Sequence, residues 1–313
     1  MGITNLITGG LGFIGSNLSQ RLLEKNEIVI SLDNLSTGSK KNLNQLILND
    51  KFSFINHDIL NPIELKNIDR IWHLASPASP TKYQINPIET SKINFIGSIN
   101  ALNLAKENKA KILLTSSSEC YGHSKQFPQK ESEGGFLSTS SKRSCYSQSK
   151  RIAETLFFDY ERAYGLDVKV TRLFNIYGPN MDIKDGRVIS NFFYQALYKK
   201  PLTIYGNGNQ RRSFCFIDDA IDLLILIMES KLKGIINIGN NSEISIKNLA
   251  YKINKIVGFK NKIIYMELPE DEPQRRLPAL NKAKNEFNWY PRFSLDNGLS
   301  KTFEYYKKII LFN

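Results

Sequence analysis

The chain has 313 residues, of which 41% are hydrophobic and 23% are charged, and its formal net charge is +12. This length suits two domains, and the apolar content supports a sizeable core, which excludes a disordered chain. Apolar runs stay far below the roughly 18 residues of a membrane span, no secretory signal is visible, and three scattered cysteines do not suit a disulfide framework or a metal cluster. We therefore expect a cytoplasmic protein that has no membrane partner and no bound metal.

The positive charge is spread along the chain rather than concentrated. Basic pairs occur at Lys40-Lys41, at Arg211-Arg212 and at Lys307-Lys308, among others. This distribution favours a solvated, lysine-rich surface, and we expect no nucleic-acid partner. The sharper alternative is an anionic small molecule, which particular arginines would bind.

Short apolar segments alternate with stretches long enough for helices through the first half of the chain. This order predicts an α/β fold, a Rossmann-type doubly wound parallel sheet followed by a smaller C-terminal α/β domain. We place the first domain at residues 1–174, with part of 213–240 returning to it, and the second at residues 175–313. The predicted strands are 3–7, 27–32, 52–55, 70–74, 111–115 and 168–173.

A glycine-rich turn follows the first predicted strand. Gly9, Gly12 and Gly15 lie where a chain must turn tightly, admit a pyrophosphate and open a helix whose free N–H groups attract phosphate. Asp33 ends the second strand, where a carboxylate accepts ribose hydroxyls and repels a 2′-phosphate. The glycine-rich turn together with Asp33 indicates that the chain binds NAD in preference to NADP. Asp58, after the third strand, suits the adenine amine or is an ordinary surface carboxylate.

Tyr146 and Lys150 are four residues apart on a predicted helix, so that both side chains share one face. An ammonium group beside a phenol favours the phenolate, which predicts a lowered tyrosine pKa. Such a phenolate can take a hydroxyl proton while hydride leaves the same carbon. A hydroxyl in Ser116–Ser118, at the end of the intervening strand, would share the hydrogen bond to the substrate.

At these residues the sequence resembles the extended short-chain dehydrogenase/reductase family. The resemblance implies a triad of Ser117, Tyr146 and Lys150, a permanently held NAD and a nucleoside diphosphate sugar bound by the C-terminal part. It also implies a homodimer formed by helices 88–107 and 146–164, for which Ile93, Ile96, Ile99, Leu102 and Leu104 offer apolar surface unless they belong to the core. The residues expected to bind NAD are Gly9, Gly12, Phe13, Ile14, Gly15, Asp33, Asn34, Asp58, Leu74, Tyr146 and Lys150.

Within that family, Ser117-Ser118-Glu119 resembles the UDP-glucuronate decarboxylases, also called UDP-xylose synthases. Related 4,6-dehydratases have an aspartate where this chain has Ser118, and typical 4-epimerases have a small or apolar residue where it has Glu119. The stretches 74–80 with Tyr83 and 185–192 resemble the same group. Glu119 is accordingly expected to act near C5 of the sugar. The remaining residues expected to bind the UDP-sugar are Ser79, Tyr83, Asn175, Arg187, Asn191, Tyr205, Arg212 and Arg276.

Several alternatives stay open at this stage. The segment Tyr146–Lys150 reads Tyr-Ser-Gln-Ser-Lys, and Ala279 replaces an expected acid, both of which depart from the decarboxylases. A nucleotide-sugar 4-epimerase or 4,6-dehydratase is the enzymatic alternative. A non-catalytic NAD-binding regulatory or RNA-associated relative is the alternative outside enzymes. Arg212 suits either the diphosphate or the chemistry at C5, and a 4-keto product could be reduced or released.

Overall fold

A seven-stranded sheet organises the chain in the computed structural model, which describes residues 2–269 and 271–311. The strands of the described residues are β1 (Thr4–Thr8), β2 (Ile28–Asp33), β3 (Phe52–Asn56), β4 (Arg70–His73), β5 (Lys111–Ser117), β6 (Val168–Leu173), β7 (Ile176–Tyr177), β8 (Leu202–Tyr205), β9 (Arg211–Ser213), β10 (Cys215–Phe216), β11 (Ile235–Ile238), β12 (Glu243–Ser245), β13 (Ile263–Met266) and β14 (Arg275–Arg276). The helices are α1 (Phe13–Glu24), α2 (Lys40–Leu46), α3 (Pro80–Tyr83), α4 (Pro87–Asn108), α5 (Ser144–Tyr164), α6 (Val188–Leu197), α7 (Ile217–Glu229), α8 (Ile246–Val257), α9 (Asn281–Phe287) and α10 (Leu295–Leu311).

The strand order in the main sheet is β11-β6-β5-β4-β1-β2-β3, and all neighbouring pairs are parallel. The predicted doubly wound parallel sheet is therefore confirmed, and the six predicted strands agree with β1 to β6 to within two residues at each end. The β5 strand runs on to Ser117, which brings the predicted triad serine to its carboxyl end. The β11 strand joins the edge beside β6, so residues well beyond 174 complete this sheet.

Helices cover both faces of the sheet, and this explains why most residues of its strands are buried, including many polar ones. On one face α4 and α5 bury a cluster that includes Leu6, Ile112 and Phe157. On the other face a larger cluster runs from Leu18 of α1 to Phe193 of α6 and on to the C-terminal part. The smaller part thus shares a continuous core with the sheet.

The apolar residues expected to form a dimer surface on α4 divide into two groups. Ile93, Leu102 and Leu104 are buried in the core, so for these three the alternative of core packing holds and they offer no dimer surface. They belong to the cluster that α4 forms with α5 and with strands β4 and β5. Ile96 is exposed and Ile99 is half-buried.

The smaller part contributes short strands that shape one wall of a cleft. In it, β9 pairs with β12 antiparallel and with β14 parallel, which places Arg211 opposite Arg275 and Arg212 opposite Arg276. Adjacent residues of a strand point to opposite faces, so Arg212 and Arg276 share one face and Arg211 and Arg275 the other. Among the described helices, none is both long and apolar enough to cross a bilayer.

Candidate active site

A cavity of about 1150 Å³ lies between the carboxyl ends of the parallel strands and the smaller part. All the residues assigned from the sequence to catalysis, NAD and the UDP-sugar line it, with the exception of Asp58. That carboxylate lies just behind the wall, where its Oδ2 accepts a hydrogen bond of 3.1 Å from Asn34 Nδ2. One site therefore brings together residues more than 250 positions apart in the chain.

The glycine-rich turn lines one end of the cavity. Gly9 has a φ of +69°, and a Cβ there would lie 2.8 Å from the Ala75 Cα, so a side chain is excluded. A Cβ on Gly12 would meet only the Gly9 carbonyl oxygen, at 3.2 Å, and would otherwise project into the cavity. Because α1 begins directly after Gly12, its first N–H groups face this space. The turn thus fits a pyrophosphate against a helix N-terminus.

Asp33 lies deeper along the same wall and is almost fully buried. Its Oδ2 accepts a hydrogen bond of 3.0 Å from Leu11 N, and its Oδ1 accepts one of 2.8 Å from Leu35 N. Burial raises the pKa of Asp33, although these two backbone donors oppose the rise. Each oxygen keeps a further lone pair, so the carboxylate is oriented to accept ribose hydroxyls. The residues present therefore fit NAD.

Tyr146 and Lys150 are both buried on α5 beside the end of β5. The Lys150 Nζ lies 5.9 Å from the centre of the Tyr146 ring and donates a hydrogen bond of 3.0 Å to the Thr115 carbonyl oxygen. Burial raises the pKa of Tyr146 to about 12 against the opposing hydrogen bond from Ser117, and burial lowers the pKa of Lys150 to about 8. The expected lowering of the Tyr146 pKa is thus wrong, because desolvation dominates while Lys150 donates its hydrogen bond to Thr115.

Tyr83 has a role that the sequence did not indicate. Its ring stacks on that of Tyr146, with centroids 4.9 Å apart and planes only 4° from parallel. Burial raises the pKa of the Tyr83 phenol, which stays neutral at ordinary pH. The stack fixes the plane of the Tyr146 ring from one side of the cavity.

Glu119 lies in the 3₁₀ turn Ser118–Tyr121, directly after β5, and faces a group of arginines. Its carboxylate is 3.5 Å from Arg276 Nη2 and 3.6 Å from Arg143 Nη1. Burial alone would raise the Glu119 pKa, but the charges of Arg276, Arg143 and Arg212 outweigh it and hold the pKa below the usual value. Glu119 is consequently an ionised carboxylate at neutral pH.

Glu272 completes this group, which we call the arginine cluster (Arg143, Arg212, Arg276, Glu119 and Glu272). Its Oε1 accepts a hydrogen bond of 2.6 Å from Arg212 Nη2, and its Oε2 is paired with Arg143 Nη2. The sequence analysis missed Arg143 and Glu272. For Arg143 the sequence offered one signal, its position three residues before Tyr146, and for Glu272 it offered none.

The other residues expected to bind the sugar nucleotide lie around the rest of the cavity. Arg187, which precedes α6, pairs with both oxygens of Asp185 at 2.5 and 3.0 Å. Asn175 donates a hydrogen bond of 2.9 Å to the Ser213 carbonyl oxygen. The cavity is also lined by further predicted residues, namely the buried Ser79, Asn191 and the half-exposed Tyr205.

Comparison with known proteins agrees with this geometry. Residues 5–239 match the model of the NAD dependent epimerase/dehydratase family. The chain is 47% identical to UDP-glucuronic acid decarboxylase 3 of Arabidopsis thaliana, over 94% of this chain and 86% of that protein. It is 43% identical to UDP-glucuronic acid decarboxylase 1 of Xenopus tropicalis, over 97% of this chain and 72% of that protein.

Solved structures resemble the fold closely. A UDP-glucose 4-epimerase of Thermotoga maritima with UDP-glucose has a TM-score of 0.91 and 29% identity, covering 98% of this chain and 100% of that chain. DesIV, a dTDP-glucose 4,6-dehydratase of Streptomyces venezuelae crystallised with NAD, has a TM-score of 0.90 and 26% identity, covering 98% of this chain and 97% of that one. The shared fold therefore carries several nucleotide-sugar reactions.

Proposed function

The chain belongs to the NAD-dependent epimerase/dehydratase family, and we propose that it is a UDP-glucuronate decarboxylase that forms UDP-xylose. The observation that carries this proposal is Glu119, an ionised carboxylate held by Arg276 and Arg143 in the same cavity as Tyr146. Chemistry confined to C4 of a sugar gives such a charged group no task. Identities of 42–47% to decarboxylases over most of the chain support the same activity.

The glycine turn and Asp33 would hold NAD, which would supply reversible oxidation at C4 of the sugar and a positive charge. Tyr146 takes the proton of the C4 hydroxyl. Burial raises the pKa of Tyr146 to about 12, so the phenol has to lose its own proton before it can accept that of the C4 hydroxyl. The charge of Arg187 favours this phenolate, as the positive charge of a bound cofactor would, and Ser117 donates a hydrogen bond to it.

The ketone at C4 is β to the C6 carboxylate, so when carbon dioxide leaves, the electron pair of the C5–C6 bond stays on the sugar and is delocalised into the ketone as an enolate. C5 then needs a proton. Glu119 is ionised and cannot donate one directly; instead it orients a water or the sugar at C5, while Arg276 offsets the negative charge that develops. Reduction at C4 with return of the proton from Tyr146 completes UDP-xylose.

Each of the two parts of the chain that line the cavity binds one of the two ligands. Residues 1–174, together with part of 213–240, bind NAD, and residues 175–313 bind the UDP-sugar through Asn175, Arg187, Arg212 and Arg276. The proposed activity is tested by incubating the purified protein with UDP-glucuronate, UDP-glucose and dTDP-glucose and identifying the products by mass. Loss of carbon dioxide supports the proposal, whereas loss of water or an epimer of unchanged mass would support a dehydratase or an epimerase.

We also propose a cytoplasmic homodimer in which α4 and α5 of two copies pack together. Ile88, Phe95, Ile96 and Ile152 are exposed on these two helices. The three cysteines are free, as suits a reducing compartment. A monomer mass in light scattering at micromolar concentration would contradict the dimer.

A further inference from the structure

A buried carboxylate lies one helical turn beyond Lys150 on α5. Glu154 is four residues after Lys150, so both side chains share one face of the helix, and both are buried. Glu154 does not line the large cavity that holds Lys150 and Tyr146; it lines a separate, smaller cavity of about 330 Å³. Any effect of Glu154 on the reaction is therefore exerted through its neighbours and not by contact with the substrate.

Two neighbouring strands hold the Glu154 carboxylate in place. Its Oε1 accepts hydrogen bonds of 2.5 Å from Ser116 Oγ and 2.9 Å from Arg172 Nε, and its Oε2 accepts one of 2.7 Å from Arg172 Nη2. Ser116 on β5 and Arg172 on β6 are directly opposite each other in the sheet. Burial would lower the pKa of Arg172, but the hydrogen bonds and the charge of Glu154 outweigh it and raise the pKa. Such a two-bond pair fixes the carboxylate in both position and plane.

Glu154 and Lys150 support the same end of β5. Lys150 Nζ donates its hydrogen bond of 3.0 Å to the Thr115 carbonyl oxygen, and Glu154 accepts one from the hydroxyl of the next residue, Ser116. Ser117, the serine of the triad, follows directly and ends the strand. The two side chains thus hold successive residues of the strand that carries this serine.

The charge on Lys150 depends on few neighbours. Burial lowers the pKa of Lys150 to about 8, although the charge of Glu154 opposes this fall. The other titratable groups that face Lys150 are Cys120 in the turn after β5, Tyr146 on α5 and His73 on β4. Burial raises the pKa values of Cys120 and Tyr146 to about 12 and lowers that of His73 to about 3, so all three are neutral at ordinary pH. Of these groups in the described part of the chain, Glu154 is accordingly the one that supplies negative charge.

We propose that Glu154 is a positioning residue of the reaction, whose negative charge maintains Lys150 as an ammonium group beside Tyr146. That ammonium group lies 5.9 Å from the centre of the Tyr146 ring, where a positive charge favours loss of the phenol proton. Without the carboxylate, the buried lysine loses its own proton at a lower pH. The inference rests on the proposed function for the step at C4, in which Tyr146 takes the hydroxyl proton.

The opposite edge of the sheet offers a matched control. Glu27 directly precedes β2 and is also buried. It accepts a hydrogen bond of 2.8 Å from Asn5 Nδ2 and lies 3.5 Å from Arg70 Nη1. Neither Glu27 nor Arg70 lines the large cavity, which lies at the carboxyl ends of the strands. Glu27→Gln therefore removes a comparable buried carboxylate without changing the surroundings of Lys150.

The first measurement follows the charge on Lys150 directly. NAD-loaded protein is prepared with isotopically labelled lysine, and the NMR signal of Lys150, identified by its loss in Lys150→Met, is titrated with pH. Glu154→Gln should lower the midpoint by about one unit or more, since an opposite charge nearby shifts a pKa by about 1–3 units. Glu154→Asp, which keeps the charge, and Glu27→Gln should both leave the midpoint near that of the wild type.

The second measurement is the pH dependence of UDP-glucuronate turnover. Activity should fall as the pH rises through the Lys150 midpoint. If that midpoint moves down one unit from about 8, kcat of Glu154→Gln should be about fivefold lower than wild type at about pH 8 and close to wild type at about pH 6. KM should change little, because Glu154 does not contact the substrate. An equal loss of kcat at both pH values would make Glu154 a structural residue and overturn the inference.

An unchanged Lys150 midpoint in Glu154→Gln would also overturn the inference. Because this variant leaves Arg172 buried without its anion, the charge-balanced double variant Glu154→Gln with Arg172→Met is prepared as well. Its Lys150 midpoint should likewise fall, and a midpoint at the wild-type value would show that Arg172 cancels the charge of Glu154. The titration needs no turnover, so a lowered midpoint in a protein that releases no carbon dioxide would support the inference and contradict the proposed function.

Discussion

Replacing Glu119 by glutamine separates decarboxylation from the oxidation that precedes it. The substitution keeps the shape of the side chain but removes a charge that lies 3.5 Å from Arg276 and 3.6 Å from Arg143. Oxidation at C4 depends on Tyr146 and Lys150 and should proceed. Loss of one positioned acid–base group typically lowers a rate about 10²- to 10⁴-fold, and this loss should fall on carbon dioxide release or on protonation at C5.

A single-turnover trace of NADH absorbance, recorded alongside carbon dioxide released from UDP-glucuronate, measures both steps. For Glu119→Gln we expect NADH to form and persist while carbon dioxide appears slowly. Tyr146→Phe is the control, because it removes the group that accepts the C4 proton, so neither signal should develop. Carbon dioxide release and NADH consumption by Glu119→Gln that both proceed at the wild-type rates would refute the reasoning and make Glu119 a structural residue.

The remaining predictions concern the cofactor, the buried lysine and the stacked tyrosine. NAD should bind far more tightly than NADP because of Asp33, and equal affinities in calorimetry would contradict that assignment. Lys150 has a pKa of about 8 in the folded protein, against a usual 10.5. Between these two pH values the unfolded chain binds more protons than the folded one, so the stability of the protein should rise with pH there. The free energy of unfolding of Lys150→Met at pH 7 should therefore exceed that of the wild type by up to about 3 kcal/mol. This variant should melt at a higher temperature and lose activity, and a lower melting temperature would argue against a desolvation cost. Tyr83→Leu removes a ring stack worth about 0.5–1.5 kcal/mol and should lower kcat more than it raises KM, whereas an effect on KM alone would make Tyr83 a simple contact to the sugar.

Features set by local spacing could be predicted from the sequence. The turn at Gly9 to Gly15 depends on residues that are neighbours in the chain, and Asp33 follows at the end of the next strand. Tyr146 and Lys150 are one helical turn apart, so their common face follows from helix geometry. The parallel sheet follows from alternation of apolar segments with helices.

Features set by burial and by long-range pairing could not be predicted in this way. Arg143 and Glu272 are 129 positions apart, and nothing in either local sequence shows that they meet. The pKa of Tyr146 depends on its depth and on the bond of Lys150 to Thr115, which no spacing reveals. Ile93 has the same apolar character whether it faces the core or a second copy, so only the fold could assign it to the core.

The central claim is that this cavity removes the C6 carboxylate of UDP-glucuronate. It is tested most directly by UDP-glucuronate isotopically labelled at C6, incubated with the wild-type protein in deuterated water. The account predicts that the label leaves as carbon dioxide and that UDP-xylose carries solvent deuterium at C5. Recovery of the label in a UDP-hexuronate, with no carbon dioxide formed, would contradict it.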